Sequence, residues 1–499
     1  MKKLSVAVTL ALTLAMLVSV VQARPLNQYP DPGTSVTNIV VQNKSTGTNE
    51  DATVMIEYYD TQGNLDHTNP NNTIAPKSVS EFKTQDEPLG DGWQGSAVVS
   101  SDRDLAAIVS IKNYDVPGAP DGFTQGAYNG ATEGMTTLYF PSLYVFQYIV
   151  SRLTVQNVEG TEATVYISYY DREGTYLGKK TDTIPAYSQK TYYLGDPDDV
   201  PFDPATIDDG SAVVTSTNKL AGVAVTTWGN RSGAYQALTD NNKGTTLYAP
   251  SHYRYKYSQA QADYTLFSAL NLQNTSPTAT ANVTVTYYSR TGGAQVLQKT
   301  FTIAPLSAKG LNTKNGGDFP ASDFDPLSYA GGGVPDWDGS VTIVSDQPLV
   351  GICNTGWDVA GSAGVYALVT ENDGADTLFV PAQYRLDWGT GWAQWSAINL
   401  MNVGTTTISR NDLTIEYIDQ SGNTVKTFTG TDLPSDLAPG AALGLNTRNG
   451  GDLDASVFNT FGLSYIGGIY VTGPPGSKLV GVANIIYSNR ASVYNAFPK

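Results

Sequence analysis

The chain has 499 residues, with 29 lysines and arginines against 46 aspartates and glutamates, and a net charge of −17. That balance disfavours nucleic acid and anionic membrane surfaces as partners, because both recruit basic surfaces. A single cysteine, Cys353, excludes an intrachain disulfide and a cysteine zinc site, and two histidines, His67 and His252, exclude a histidine-rich metal site.

The first element is a processing signal. Lys2 and Lys3 precede an uncharged apolar run from Leu4 to Val21, and Val21-Gln22-Ala23 fits a small-residue cleavage site. A signal peptide over residues 1–23 is expected. The alternative is a membrane anchor, for which the run is long enough. The C-terminal "SVYNAFPK" carries no apolar tail and no sorting tripeptide. The expected product is a secreted chain of 476 residues, extracellular or at the cell surface, with no membrane insertion. Without Lys2 and Lys3 it has 27 basic residues against 46 acidic, a net of −19, which favours solubility.

The rest of the chain repeats four times. Each copy opens with a strand ending in asparagine: "IVVQN" to Asn43, "LTVQN" to Asn157, "LNLQN" to Asn274 and "INLMN" to Asn402. The spacings of 114, 117 and 128 residues are too long for a solenoid unit and suit a small domain. Next come "IEYYDTQGN", "ISYYDREGT", "VTYYSRTGG" and "IEYIDQSGN". Their period-two alternation predicts half-buried strands, with Tyr58, Tyr169, Tyr287 and Tyr417 facing in and Tyr59, Tyr170 and Tyr288 facing out. Asp60, Asp171, Ser289 and Asp419 open a four-residue turn that a glycine closes, as type I turn chemistry requires.

A proline then marks a strand end near Pro76, Pro185, Pro305 and Pro439. Two apolar runs follow in each copy, beginning at Gly95, Gly210, Gly339 and Gly468 and joined by a short polar stretch. They read as a second hairpin. A tyrosine strand closes each copy, around Tyr128, Tyr235, Tyr366 and Tyr494. In the first three copies it leads into "TLYFP", "TLYAP" and "TLFVP".

Seven or eight short strands in about 115 residues, with no helical period, predict a β-sandwich, immunoglobulin-like or jelly-roll-like. The expected fold class is all-β, with four tandem sandwiches after the signal peptide. Their boundaries are 24–134, 135–243, 244–374 and 375–499. Copies three and four share "LNTKNGGD" and "LNTRNGGD", each followed by an insertion expected on the surface.

Two accounts place "TLYFP". In one it starts the following domain, and "LNQYP", Leu26 to Pro30, is its degenerate counterpart in the first. In the other it completes the preceding sandwich, so that the fourth lacks a strand and accepts one from another molecule.

The strands ending in "VQN", the "YYD..G" turn, "GSAVVSSD" and "LYFP" together resemble secreted bacterial tandem-repeat proteins of the cell surface. The resemblance covers the mature chain and implies location and build. It carries no catalytic residue.

Chemistry is sparse. Neither histidine recurs between copies, and a histidine-based catalytic set is not expected. Asp196, Asp198 and Asp199, and Asp323 and Asp325, cluster in loops; calcium is the cofactor they could take, without EF-hand spacing. Cys353 reads as a buried free thiol. Of the 31 tyrosines and seven tryptophans, Trp388 and Trp392 in "DWGTGWAQW" are the first candidates for stacking on sugar, with Tyr59, Tyr170 and Tyr288 behind them. The reading is a secreted, non-enzymatic structural protein that self-assembles, with itself as partner. The alternative is an adhesin or carbohydrate-binding protein whose partner is a cell-surface glycan.

Overall fold

A computed structural model describes residues 6–10 and 34–499, apart from 115–121, 147–148, 257–262, 291–292, 329–335, 359–360, 390 and 489. The fold is all-β and multi-domain, built of antiparallel β-sandwich-like sheets. The chain packs as two compact units. One holds Met1–Pro76, Ser80–Asn241 and Leu306–Ala308, and the other holds Lys77–Val79, Asn242–Pro305 and Lys309–Lys499.

The second copy shows the common plan. One sheet runs Tyr176–Ile184, Ala163–Asp171, the first half of Asp209–Trp228, then Met135–Phe146. The other runs Gln189–Tyr193, Ile149–Asn157, the second half of Asp209–Trp228, then Arg231–Gln236. Alternate residues of each strand face the core: Val165, Ile167 and Tyr169 pack inside, as do Leu153 and Val155.

The paired apolar runs do not form a hairpin. In copies two and three they are one continuous strand, Asp209–Trp228 and Trp337–Trp357, that passes from one sheet to the other. In copy one Gly95–Ser101 pairs with Ala52–Asp60, whereas Leu105–Tyr114 pairs with Thr34–Asn43. Alternation fixes which face of a strand is buried but not which strand lies beside it. Each half therefore finds its own partner, and the polar stretch carries the chain across.

The "TLYFP" strands belong to the sandwich that follows them. Leu138 and Phe140 lie opposite Val214 and Ala212, which in turn lie opposite Ile167 and Tyr169. Leu378 and Val380 occupy the same register places in copy four, and Phe497–Pro498 pairs onto that strand. The fourth copy thus has this strand, and the account in which it lacks one is overturned. In copy one the equivalent place, opposite Val99 and Ala97, is taken by Val8 and Leu10 of the strand Val6–Leu10. Leu26 to Pro30 lies outside the described residues.

Repeated residues hold this plan together. Asn157 is fully buried, and its Nδ2 donates to the carbonyls of Thr161, Ile184 and Pro185. Its Oδ1 accepts from the Glu159 amide at 3.1 Å. Asn43, Asn274 and Asn402 make the same ties. Left unpaired, such groups would each cost about 1–3 kcal/mol. At the turns, Asp60, Asp171 and Asp419 accept two backbone amides each. Gly63, Gly174 and Gly422 adopt φ of 85°, 89° and 86°, as the sequence predicts. In copies two, three and four, the hydroxyls of Tyr235, Tyr366 and Tyr494 donate to Ser142 O, Ser251 O and Pro381 O, tying the last strand to the first.

Candidate functional site

The predicted residues fall in separate places. Trp388 is 60% exposed and meets Tyr487 edge-on at 5.8 Å. Trp392 lies under the Arg385 guanidinium, 4.3 Å from its ring centre. Asp387 Oδ1 accepts from the amides of Gly389 and Gly391, which shapes the loop between them.

Two of the outer tyrosines pack against a neighbouring copy. Tyr59 touches Tyr187 at 5.7 Å, and Ser188 Oγ donates to Thr61 O at 2.6 Å. Tyr288 lies against Gly440, where Ser340 Oγ donates to the carbonyl. Tyr170 leans on Tyr176 of its own hairpin. In each unit the "YYD..G" turn of one copy therefore seats on the proline loop of the next.

The loop acids are engaged locally. Asp196 accepts from the Asp198 amide, Asp199 accepts from the Tyr193 amide, and the Asp198 carbonyl accepts from Lys180 Nζ. Burial raises the pKa of Asp199. Asp323 pairs with Lys299, and Asp325 pairs with Arg254 at 2.8 Å. Among the described residues, no group of three or more His, Cys, Asp or Glu is arranged to hold a metal ion.

His252 and Cys353 meet in the core of copy three, Nδ1 to Sγ 3.5 Å, both fully buried. Burial lowers the imidazole to about 3 and raises the thiol to about 12. Both are neutral near pH 7, so neither an imidazolium nor a thiolate is available for nucleophilic chemistry. His67 lies 3.0 Å from Glu87 and stacks on Tyr58.

One concavity among the described residues was not singled out by sequence reasoning. It is a cleft of about 780 Å³ within the second unit, where copies three and four meet. One wall carries Tyr253, Tyr255 and Arg290 from copy three. The other is the loop Asn446 to Asp452 of copy four, the "NTRNGGD" stretch. Trp357, at the end of its strand, and Trp395, inside Trp392–Asn402, border it.

The local sequence explains this geometry. Asn446 Oδ1 accepts from the amides of Arg448 and Asn449, and Gly450 and Gly451 adopt φ of 90° and 73°. Those left-handed positions turn the chain back so that Asp452 accepts from the Gly444 amide at 2.6 Å. Gly444 has no side chain, which leaves room for the Arg290 guanidinium against its backbone.

Arg290 pairs with Asp338 at 2.7 Å and lies 3.7 Å from Asp452. Burial opposes its charge, and the attraction of Asp338 and then Asp452 outweighs it, so the guanidinium is held charged. Burial raises Asp338, with Arg290 working against it. Arg290 Nε is buried without a hydrogen-bond partner. Asn399 Nδ2 donates to Tyr253 Oη at 3.3 Å, and Arg448 stacks 4.4 Å from the Trp395 ring centre.

The same loop in copy three is closed by its own salt bridges. There Lys314 pairs with Asp358 at 2.6 Å and Asp263 at 3.3 Å. The shared "LNT[K/R]NGGD" was the signal for the cleft; its facing wall comes from the other copy and leaves no local trace.

No family model matches the chain, and no curated protein matches it. Among solved structures, the Anabaena sensory rhodopsin transducer is 23% identical, with a TM-score of 0.15, over 18% of this chain and 93% of its own. Dimeric latent PorU from Porphyromonas gingivalis is 7% identical, with a TM-score of 0.10, over 79% of this chain and 32% of its own. At those TM-scores neither likeness bears on fold or function.

Proposed function

We propose that the protein is a secreted, non-enzymatic structural component of the cell surface or extracellular matrix that assembles with copies of itself. Residues 1–23 are removed on export, and the sandwiches span 24–134, 135–243, 244–374 and 375–499. One observation carries this reading. The strand Val6–Leu10, inside the leader, holds the register place that Met135–Phe146 and its equivalents fill in the later copies. Export would vacate that place and open the edge of Gly95–Ser101. An open edge of backbone donors and acceptors beside apolar core positions accepts a strand from another chain.

The test is sedimentation of residues 24–499 alone and with a synthetic peptide of residues 4–12. Assembly that the peptide suppresses supports the proposal. A monomer at every concentration overturns it.

A second reading is carbohydrate binding at the cell surface, favoured by the 60% exposure of Trp388. Trp388→Ala with Trp392→Ala would abolish retention on a glycan column if those rings carry the binding. Unchanged retention removes them from consideration.

A further inference from the structure

We propose that the cleft between copies three and four binds a neutral oligosaccharide segment. This site is separate from Trp388 and Trp392 and independent of the assembly proposal.

Size comes first. A volume of about 780 Å³ lies within the range of small-ligand sites, roughly 300–1,000 Å³. The lining comes next. Sugars present C–H faces that stack on aromatic rings, and hydroxyls that both donate and accept. The cleft supplies both kinds of partner: the rings of Tyr253, Tyr255 and Trp357, and the amides of Asn399 and Asn449.

Charge then selects among polar ligands. The lining holds two arginines, Arg290 and Arg448, and two aspartates, Asp338 and Asp452. Arg290 lies between both carboxylates, so its charge is already matched and offers little to an anion. Its buried Nε remains an unmet donor, and a hydroxyl or a water carried with the sugar satisfies such a group without adding charge. A strongly acidic ligand would also meet the field of a chain carrying −17.

Rigidity supports the assignment. The Asn446–Asp452 loop is held by side-chain-to-amide bonds at both ends, and Arg448 is stacked on Trp395. A preformed wall lowers the ordering cost of binding. Arg448 and Asn449 are exposed, so their removal leaves the core intact.

The experiment is calorimetric titration of residues 24–499 with neutral cello-, chito-, malto-, manno- and xylo-oligosaccharides, and with an acidic uronate oligomer. At least one neutral series is expected to bind in the micromolar to millimolar range. Arg448→Ala with Asn449→Ala is expected to weaken it at least tenfold, with unfolding temperature unchanged, whereas Trp388→Ala leaves affinity unchanged. Failure of every neutral series at millimolar concentration overturns the proposal. So does a preference for the uronate, or binding that Trp388→Ala abolishes and the cleft variant leaves untouched.

Discussion

His252 shows how burial turns one side chain into a pH liability. Its native pKa is lowered to about 3 by burial, whereas an unfolded histidine titrates near 6.5. Above about pH 6.5 both states are neutral and the native state keeps its full stability. As pH falls from there toward 3, the unfolded chain binds a proton that the native chain refuses. Stability then drops by about 1.4 kcal/mol per pH unit. Gln383 occupies the same register place in copy four. His252→Gln is therefore expected to lessen the loss of stability between pH 7 and pH 5 by about 2 kcal/mol in urea unfolding. Parallel pH profiles for the two proteins would contradict this. The repeated asparagines make a second case. Asn274→Ala strands the Ile303 and Ala304 carbonyls and the Ser276 amide. A loss of about 2–4 kcal/mol in chemical denaturation is expected, and a loss below 0.5 kcal/mol would show that water takes over the ties. At this scale the sequence was informative. The turn acids and left-handed glycines were predictable because their chemistry is local. The asparagine ties were not, because their carbonyl partners lie up to 35 residues away.

At the scale of elements, strands were legible and their partners were not. The strand Ala52–Asp60 alternates buried and exposed as its sequence predicts. The hairpin expected from Gly210 onward became a strand shared by two sheets. The small residue two places before each closing tyrosine also has a role that only packing reveals. Gly126 packs against Ala234, where an added Cβ would lie 3.3 Å from the Ala234 Cβ, and Gly364 packs directly against Val493. Ser232 Oγ donates to Thr124 Oγ1 across the first of these contacts. The closing strands of two copies thus lie face to face within each unit, and glycine lets them approach. Gly364→Val is expected to cost about 1–3 kcal/mol by overpacking, seen as a lower unfolding temperature, whereas Gly90→Val, which meets no neighbour within 4 Å and needs no left-handed φ, is expected to leave it nearly unchanged. Equal unfolding profiles for Gly364→Val and the parent would contradict the packing account. The cleft was half legible for a related reason. Its glycine loop carried a motif, while Arg290 reaches it from a turn 162 residues earlier than Asp452.

At the scale of the molecule, most of the repeated sequence is committed to scaffold: asparagine ties, turn acids, inward tyrosines and the joints at Tyr59 and Tyr288. The acidity of the chain fits the proposed role as an exported building block. The place where the copies differ most in consequence is the first sandwich, whose outer strand is drawn from Val6–Leu10. The direct test is negative-stain electron microscopy of residues 24–499 beside the full chain 1–499. Filaments or sheets from the shorter chain, with isolated particles from the longer, are the predicted result. Isolated particles from both would contradict the claim that vacating the edge of Gly95–Ser101 drives assembly.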